Sequence, residues 1–203
     1  MTITVHHGDV PADLDLGAMI AVDTETLGLR IGRDRLCLVQ LSGGDGTAHL
    51  VRIERGRDAA PNLKRLLENP QTLKLFHYAR FDLAILFHSL GITAAPVYCT
   101  KVASKLVRTY TDRHGLKDLC RELLGREISK QEQTSDWGAE QLTQAQQEYA
   151  ARDVLHLHEL KAALDAMLVR EGRMDLAQAC FQFLPVRAKL DVVGWADEDI
   201  FAH

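Results

Sequence analysis

Four carboxylic acids and one phenol, in three short stretches of the chain, are the side chains best suited to chemistry. The stretches are Asp23-Thr-Glu25, Asp82 within RFDLAIL, and Tyr149-x-x-x-Asp153. Two hard cations held about 3.5–4 Å apart can stabilise both the attacking and the leaving oxygen when a phosphodiester is hydrolysed. Magnesium takes carboxylate and substrate oxygens as ligands. The set therefore predicts a site for two divalent cations, Mg²⁺ or Mn²⁺, and a nuclease activity.

The spacing within each stretch predicts how its side chains are presented. Asp23 and Glu25 are two residues apart on a predicted strand, so both leave the same face. Tyr149 and Asp153 are four residues apart on a predicted helix and share one side of it. We expect metal ligands at Asp23, Glu25, Asp82 and Asp153, and a hydroxyl that orients the attacking water at Tyr149.

Each stretch taken alone has an ordinary interpretation as well. The first could be a polar strand end that faces water, and the last a surface pair on an amphipathic helix. Asp82 could be a first-turn acid favoured by the helix dipole. The occurrence of all three stretches in one chain favours the metal site, because crowded carboxylates repel each other unless a cation lies between them.

The elements that must position these residues follow from the local patterns. AMIAVDTET predicts a buried strand, and two β-rich runs joined by Gly43-Gly44-Asp45-Gly46 predict a hairpin. Pro61 opens a predicted helix, and LKLFHY predicts a strand that leads into a helix closed by Gly91. Strands that come first and then alternate with helices predict an α/β fold, a mixed sheet flanked by helices in one domain, 1–203.

The second half of the chain predicts further helices. VYCTKVASKLVRTY indicates a strand end followed by a helix, and HGLKDLCRELLG indicates a helix that ends at Gly125. Thr143 and Gln146 form a predicted capping box that opens one long helix, which runs to about Arg170 and contains Tyr149 and Asp153. We interpret His156 and His158 on this helix as surface or core residues.

Composition narrows the function classes. The chain has 203 residues, 46% hydrophobic and 26% charged, as expected of one soluble domain. It has no apolar run long enough for a membrane span and no signal-peptide pattern, so we expect a cytoplasmic location. The four cysteines lack a C-x-x-C pair and are predicted to be buried reduced thiols. The net charge of −4 argues against a protein that coats long nucleic acid.

The stretch KQEQTSDWGAEQLTQAQQEYAARDVLHLHEL resembles ribonuclease D, a 3′-5′ exonuclease of the DEDD superfamily. Its K-x-x-Q-x-S-D-W segment corresponds to 130–137, and its L-T-x-x-Q-x-x-Y-A-x-x-D-V helix to 142–154. Glu148 stands where the histidine-type branch has histidine, so the resemblance implies the tyrosine-type branch. The chain departs from the pattern at Glu140-Gln141, where ribonuclease D usually has Arg-Pro. Too few residues follow Asp153 for appended helical repeats, so we expect no appended helical RNA-binding domain.

A resemblance to the nanoRNase C family (NrnC), compact relatives of ribonuclease D, extends over essentially the whole chain. It is carried by VDTETLGL, RDRLCLVQLS, RFDLAILFH, CTKVASKLVRTYTDRHGLK and the tail CFQFLPVRAKLDVVGWADEDIFAH. The resemblance implies a ribonuclease H-like fold and a 3′-5′ exoribonuclease that degrades short RNA, above all dinucleotides, to nucleoside 5′-monophosphates. It also implies a homo-oligomer, an octameric ring, in which the tail of about 178–203 makes subunit contacts. The catalytic positions carry over as Asp23, Glu25, Asp82, Tyr149 and Asp153.

A dinucleotide-specific site must recognise both ends of its substrate. Candidates to stack or wedge the bases are Leu27, Phe76, His77, Tyr78 and Phe81; candidates to cap a 5′ phosphate are Thr111, Arg113, His114 and Lys117. Arg113 and His114 could equally brace neighbouring helices. Lys101, Lys105 and Arg108 are predicted to form one basic helix face, which could contact nucleic acid, lie in solvent or pair with another subunit.

Two other functions remain open at this stage. The same metal site would serve a general or DNA-directed 3′-5′ exonuclease, because no residue in the sequence can be assigned to the ribose 2′-hydroxyl. A non-catalytic nucleic-acid-binding or assembly module is the third class. The four carboxylates weigh against it, since their crowding is unfavourable without metal.

Overall fold

A six-stranded mixed sheet forms the centre of the molecule, as described by a computed structural model for residues 1–128, 131, 132 and 134–202. The strands are β1 (Thr2–His7), β2 (Met19–Thr26), β3 (Leu36–Ser42), β4 (Thr47–Arg52), β5 (Leu73–Phe76) and β6 (Val97–Cys99). Their order is β1-β4-β3-β2-β5-β6, with β2, β3 and β4 antiparallel and the other pairs parallel. This arrangement places β2, which carries Asp23 and Glu25, inside the sheet.

Seven α-helices surround this sheet in the described part of the chain. They are α1 (Pro61–Glu68), α2 (Ala79–Leu90), α3 (Thr100–Val107), α4 (Leu116–Leu124), α5 (Gln144–Leu155), α6 (Leu157–Arg170) and α7 (Met174–Leu190), and a π-helical turn (Asp191–Trp195) follows. α5 packs across β1, β2, β3 and β4, whereas α7 packs against α2 and β6. The predicted fold class, a single α/β domain with a mixed sheet and flanking helices, is confirmed.

The local signals explain why the central strands form. Every residue of β3 is buried, which suits a strand covered on both faces. Gly44 and Gly46 have φ of 85° in the turn between β3 and β4, a conformation that other residues rarely adopt. Gly91 ends α2 with φ of 61°, as its position after the helix predicts.

The region after Thr143 confirms one prediction and corrects another. The capping box is present: the Thr143 hydroxyl accepts from the Gln146 N–H, and the Gln146 side-chain oxygen accepts from the Thr143 N–H. The predicted single long helix is wrong, because it breaks at His156 into α5 and α6. No glycine or proline marks this break in the sequence, and the buried positions continue at helical spacing across it, from Ala150 and Val154 to Leu157.

Two elements and one burial pattern were not predicted. β1 pairs in parallel with β4, and α7 contains Pro185 in its interior, a residue that usually argues against a helix. The prediction of four buried cysteines is wrong for Cys180, which is exposed on α7, whereas Cys37, Cys99 and Cys120 are buried. Among the described helices, none combines the length and the apolar character needed to cross a membrane.

The C-terminal tail docks on its own domain. Arg80, in the first turn of α2, donates from Nε and Nη2 to the two carboxylate oxygens of Asp191 at 2.6 and 2.8 Å. Arg80 also donates to the Ala196 carbonyl at 2.7 Å, and Arg187 donates to Asp191 at 2.6 Å. The tail nevertheless leaves large apolar side chains exposed, namely Val186, Val193, Trp195, Ile200 and Phe201.

Two cations are fully buried among the described residues, and each donates several hydrogen bonds to its own chain. Lys74, on β5, donates from Nζ to the carbonyl oxygens of Asn69, Thr72 and Ala95. Burial lowers the pKa of Lys74 to about 8. Because its ammonium has three acceptors in place of water, the group is tolerated in the core.

Arg108, directly after α3, is the second buried cation, and its burial shows that the prediction of a basic helix face ending at Arg108 is wrong. Its guanidinium donates to the Arg113 carbonyl at 2.7 Å, to the Ser104 hydroxyl at 3.2 Å and to the Glu122 carboxylate. The side chain of Lys105, by contrast, is exposed. Arg108 therefore braces the loop between α3 and α4 from inside.

Candidate active site

Three of the predicted metal ligands converge beside β2. Asp23 and Glu25 leave the same face of the strand, which α5 crosses with Asp153. Each of the three carboxylates has an oxygen within 4.8 Å of an oxygen of the other two. The register between β2 and β3 shifts at Glu25 and Thr26, and such irregularities in a strand can re-aim side chains near active sites.

Asp82 joins this cluster from α2. It is buried in the first turn of the helix, and its Oδ1 accepts a hydrogen bond from the Thr24 hydroxyl at 2.6 Å. Thr24 lies between Asp23 and Glu25, so this bond attaches α2 to the strand that carries the other two acids. The charge of Asp82 contributes to raising the pKa of Glu25, as expected of neighbouring carboxylates.

Tyr149 lies one helical turn before Asp153, and the two side chains share one side of the helix beside the other acids. The Tyr149 ring is buried against Trp137, with ring centroids 6.0 Å apart. Burial and the nearby carboxylates raise the pKa of Tyr149 well above its usual value. The phenol is therefore neutral near pH 7 and acts as a hydrogen-bonding group with a fixed orientation.

The pKa values of all four acids are raised, as expected of carboxylates that are buried close together. Burial raises the pKa of Asp23 to about 7, and burial together with Asp23, Asp153 and Asp82 raises the pKa of Glu25 to about 10. Burial and the charge of Asp23 also raise the pKa of Asp82 and of Asp153 well above the usual range. No ion pair among the described residues involves any of these four acids.

The donor set fits hard divalent cations. All four acids offer oxygen, the ligand that Mg²⁺ and Mn²⁺ prefer, and their raised pKa values mean that a bound cation would displace protons. Soft thiolate ligands are absent from the cluster within the described residues. The cluster opens into a cavity of about 350 Å³ whose lining is Asp23, Thr24, Glu25, His77, Tyr78, Lys101, Gly115, Leu116, Lys117, Ile128, Tyr149 and Asp153.

The predicted substrate-binding residues divide into two groups. His77, Tyr78 and Lys117 line the cavity, and the His77 ring is hydrogen-bonded to the Thr100 hydroxyl at 2.9 Å. Leu27 is exposed just beyond β2, with its methyl group close to Gly138. The prediction that Phe76 stacks on a base is wrong, because its ring is fully buried within β5.

The remaining candidates lie outside the residues that line the cavity. Phe81 is half-buried and packs against the hydrophobic core. The loop between α3 and α4 carries Thr111, Arg113 and His114, and its contacts match the bracing interpretation: His114 is hydrogen-bonded to the Ser104 hydroxyl at 2.8 Å. Their role in capping a 5′ phosphate stays a prediction.

Sequence reasoning missed several residues of the site. Gln40 on β3 faces Asp23 and donates to its Oδ2 at 3.3 Å, a partnership that only the strand register reveals. Lys101 was assigned to a helix face, and Gly115 and Leu116, at the start of α4, were not singled out. Lys130 and Gln133 of the motif before Trp137 lie outside the described residues.

Comparison with known proteins agrees with this geometry. A family model described as a 3′-5′ exonuclease matches residues 9–169. Ribonuclease D of Gluconacetobacter diazotrophicus is 40% identical over 156 residues, 77% of this chain and 39% of that protein. The chain spans less than half the length of the curated ribonuclease D relatives it matches.

Solved structures of Brucella melitensis NrnC match over the full chain. Brucella melitensis NrnC with bound Mg²⁺ is 57% identical with a TM-score of 0.96, and 100% of each chain is covered. The same protein bound to pGG is 58% identical with a TM-score of 0.96, covering 100% of this chain and 99% of that one. The chain therefore belongs to the 3′-5′ exonuclease family, and within that family to the group that contains Brucella NrnC. The resemblance to nanoRNase C drawn from the sequence is confirmed.

Proposed function

We propose that this protein is a metal-dependent 3′-5′ exoribonuclease that hydrolyses short RNA, above all dinucleotides, to nucleoside 5′-monophosphates. The observation that carries the proposal is the cluster of Asp23, Glu25 and Asp153, whose oxygens lie within 4.8 Å of one another beside Asp82 and Tyr149. Three acids that line a cavity, with Asp82 buried beside them, are unfavourable unless a ligand neutralises their charge. A pair of divalent cations is that ligand.

The proposed metal ligands are Asp23, Glu25, Asp82 and Asp153, which would hold two Mg²⁺ or Mn²⁺ ions. Bound cations of this kind supply positive charge to the scissile phosphate and lower the pKa of the attacking water. The protein keeps its ligands in place through the Gln40 amide, which donates to Asp23, and the Thr24 hydroxyl, which donates to Asp82.

Tyr149 is proposed to orient the attacking water. Its side chain shares one side of α5 with Asp153 and its ring is buried against Trp137, so its position is limited before substrate arrives. Because its pKa is raised, Tyr149 serves as a hydrogen-bond partner of the water, and the metal site must acidify that water.

The cavity supports a small substrate. Its volume of about 350 Å³ is near the lower end of ligand pockets, which run from about 300 to 1,000 Å³. Lys117 and the start of α4 line the same cavity as the acids, so positive charge and helix N-terminal amides are available there to stabilise a second phosphate. The binding of pGG by the Brucella relative supports the same class of substrate for this chain.

Assembly and location belong to the proposal as well. The exposed apolar tail, with Trp195 and Phe201, offers the surface that the predicted octameric ring requires. Mass photometry of the purified chain would test the ring. Short RNA is a product of RNA decay, so the proposal places the protein in the cytoplasm.

The decisive assay supplies magnesium and equal concentrations of 5′-labelled RNAs of two, three, five and seven nucleotides, with double-stranded DNA in parallel. Asp153→Asn and a chelator serve as controls. We expect the dinucleotide to be consumed much faster than the longer RNAs. Similar rates on all lengths would reject the dinucleotide preference, and trimming of the DNA at the same rate would favour a general exonuclease.

A further inference from the structure

Tyr78 and Lys101 form a contact within the cavity that the proposed chemistry does not use. The Lys101 ammonium lies over the Tyr78 ring, 4.1 Å from its centroid, and both residues line the cavity together with the carboxylates. A cation at this distance from a ring face is attracted by the negative face of the aromatic system. One face of the Tyr78 ring is therefore occupied by the protein itself.

The backbone of Tyr78 is unusual. It has φ of 67° and ψ of 41°, and among the described residues it is the single non-glycine residue with positive φ. This left-handed conformation is unfavourable for a residue with a Cβ atom, and such strain gathers at binding and active sites. Its effect here is to hold the ring at the start of α2, next to the cavity, where 49% of the residue is exposed.

Apart from its contact with the Tyr78 ring, the ammonium of Lys101 forms no ion pair within the described residues. Acids nevertheless line the same cavity. A neighbouring lysine on the same helix, Lys105, is exposed and does not line the cavity. α3 thus directs one of its two lysines toward the ring and leaves the other outside.

We infer that Tyr78 and Lys101 form a one-sided stacking platform for a single base of the substrate, with Lys101 as the residue that positions the ring and covers its other face. The inference rests on the proposed function and names a determinant of substrate length. A base can stack on the free face of Tyr78, and stacking tolerates any base because every base has a π face. The stack cannot continue through the ring, because the Lys101 ammonium lies there.

The platform predicts effects on binding rather than on the chemical step. Lys101→Met keeps the length of the side chain and removes the cation; we expect KM for a 5′-phosphorylated dinucleotide to rise about threefold to tenfold and kcat to stay within about twofold. Tyr78→Asn keeps a residue that tolerates positive φ but removes the ring, and we expect KM to rise about 10- to 100-fold. Lys101→Arg retains a cation over the ring and should restore KM.

The experiment combines turnover with a binding probe that needs no turnover. KM and kcat are measured on RNA of two and five nucleotides for wild type, Lys101→Met, Lys101→Arg, Tyr78→Asn and the control Lys105→Met. In parallel, 2-aminopurine riboside 5′-monophosphate is titrated with magnesium, because stacking on Tyr78 quenches its fluorescence. Melting temperatures establish that each variant is folded.

The expected result is loss of quenching in Tyr78→Asn, and in Lys101→Met a higher KM with a reduced preference for two nucleotides over five. Quenching that survives in Tyr78→Asn would overturn the platform. Equal effects of Lys101→Met and Lys105→Met on KM would overturn the role of Lys101. The rise in KM would then come from the lower positive charge of the whole surface and not from the contact with Tyr78. A further outcome is that wild type quenches the fluorescence, Tyr78→Asn does not, and wild type hydrolyses none of the RNAs. That outcome would support the platform and reject the proposed function.

Discussion

Two regions of this molecule bury charge, and they treat it in opposite ways. Lys74 and Arg108 are fully buried cations, and each donates to several acceptors of its own chain. The acid cluster of Asp23, Glu25, Asp82 and Asp153 is also removed from water, yet its members raise one another's pKa values. Buried charge that is compensated internally stabilises the fold, whereas charge left uncompensated needs a partner from outside.

The comparison identifies the functional site without reference to relatives. The two cations have hydrogen-bond partners that fix loops and strands, so their role is structural. The acids have partners that orient them, such as Thr24 and Gln40, but no ion pair within the described part of the chain neutralises them. The following predictions test that contrast, from the largest expected effect to the smallest.

Removing one acid should abolish hydrolysis. Asp153→Asn keeps the shape of the side chain but removes a proposed metal ligand and the partner of Tyr149, so we expect kcat to fall by more than about 10³-fold. Stopped assays on a labelled dinucleotide would measure the loss. Asp175→Asn, an exposed acid on α7, is the matched control and should retain full activity. Activity within tenfold of wild type in a folded Asp153→Asn protein would remove Asp153 from the site.

Removing a compensated cation should instead destabilise the fold. Arg108→Met deprives Glu122 and the Arg113 carbonyl of their donor, and we expect a loss of about 3 kcal/mol in the free energy of unfolding. Lys105→Met, three residues earlier but exposed, should change stability by less than about 0.5 kcal/mol. Urea denaturation would measure both. Equal, small effects would show that the buried guanidinium is not a structural anchor.

The acid cluster should make the metal-free protein less stable as pH rises. Because the folded-state pKa of Asp23 is about 7, above its unfolded value, the folded state binds more protons, and stability falls between about pH 4 and 7. Glu25, with a pKa of about 10, extends the decline to higher pH. Magnesium at a hundred times its dissociation constant should restore about 2.7 kcal/mol. At one fixed magnesium concentration the gain should be larger at pH 8 than at pH 6, because protons compete with the cation for the acids.

Thermal melts from pH 5 to 9, with chelator or with magnesium, would measure this dependence. His6, His49, His114 and His156 have lowered pKa values, so they act in the opposite direction below about pH 6.5. The difference between wild type and Asp23→Asn removes their contribution. An identical pH profile for the two proteins would mean that Asp23 is not proton-linked to folding.

The smallest effect is expected at Tyr149. Tyr149→Phe keeps the ring against Trp137 and loses one hydrogen bond to the water, so kcat should fall about tenfold. Magnesium affinity, measured by calorimetry, should be unchanged because the acids remain. An unaltered kcat would exclude Tyr149 from the mechanism, and a large loss of magnesium affinity would make it part of the metal site.

Local patterns in the sequence predicted the features that depend on neighbouring residues. The alternation of Asp23 and Glu25 on β2, the capping box at Thr143 and the closing Gly91 each follow from spacing and residue type. The carboxylates of the site could be named because their chemistry requires several together. Their separation in the chain did not prevent this.

Features that depend on distant partners could not be predicted. β1 forms because β4 offers its edge, and α7 tolerates Pro185 because α2 and β6 cover the helix. The spacing of Arg108 predicts an exposed helix face, but in the folded chain its guanidinium binds Glu122 and the Arg113 carbonyl and is buried. In each case the conformation is stabilised by a contact with residues distant in the chain, which local spacing in the sequence cannot show.

The attachment of the tail through Arg80 links two properties that are usually studied separately. Arg80 and Asp82 share the first turn of α2, and Arg80 binds both Asp191 and the Ala196 carbonyl. A molecule that pulls the tail away would therefore act on the same helical turn that presents Asp82. By thermodynamic reciprocity, if release of the tail changes the affinity of the site for a metal ion, binding of that ion changes the docking of the tail by the same free energy.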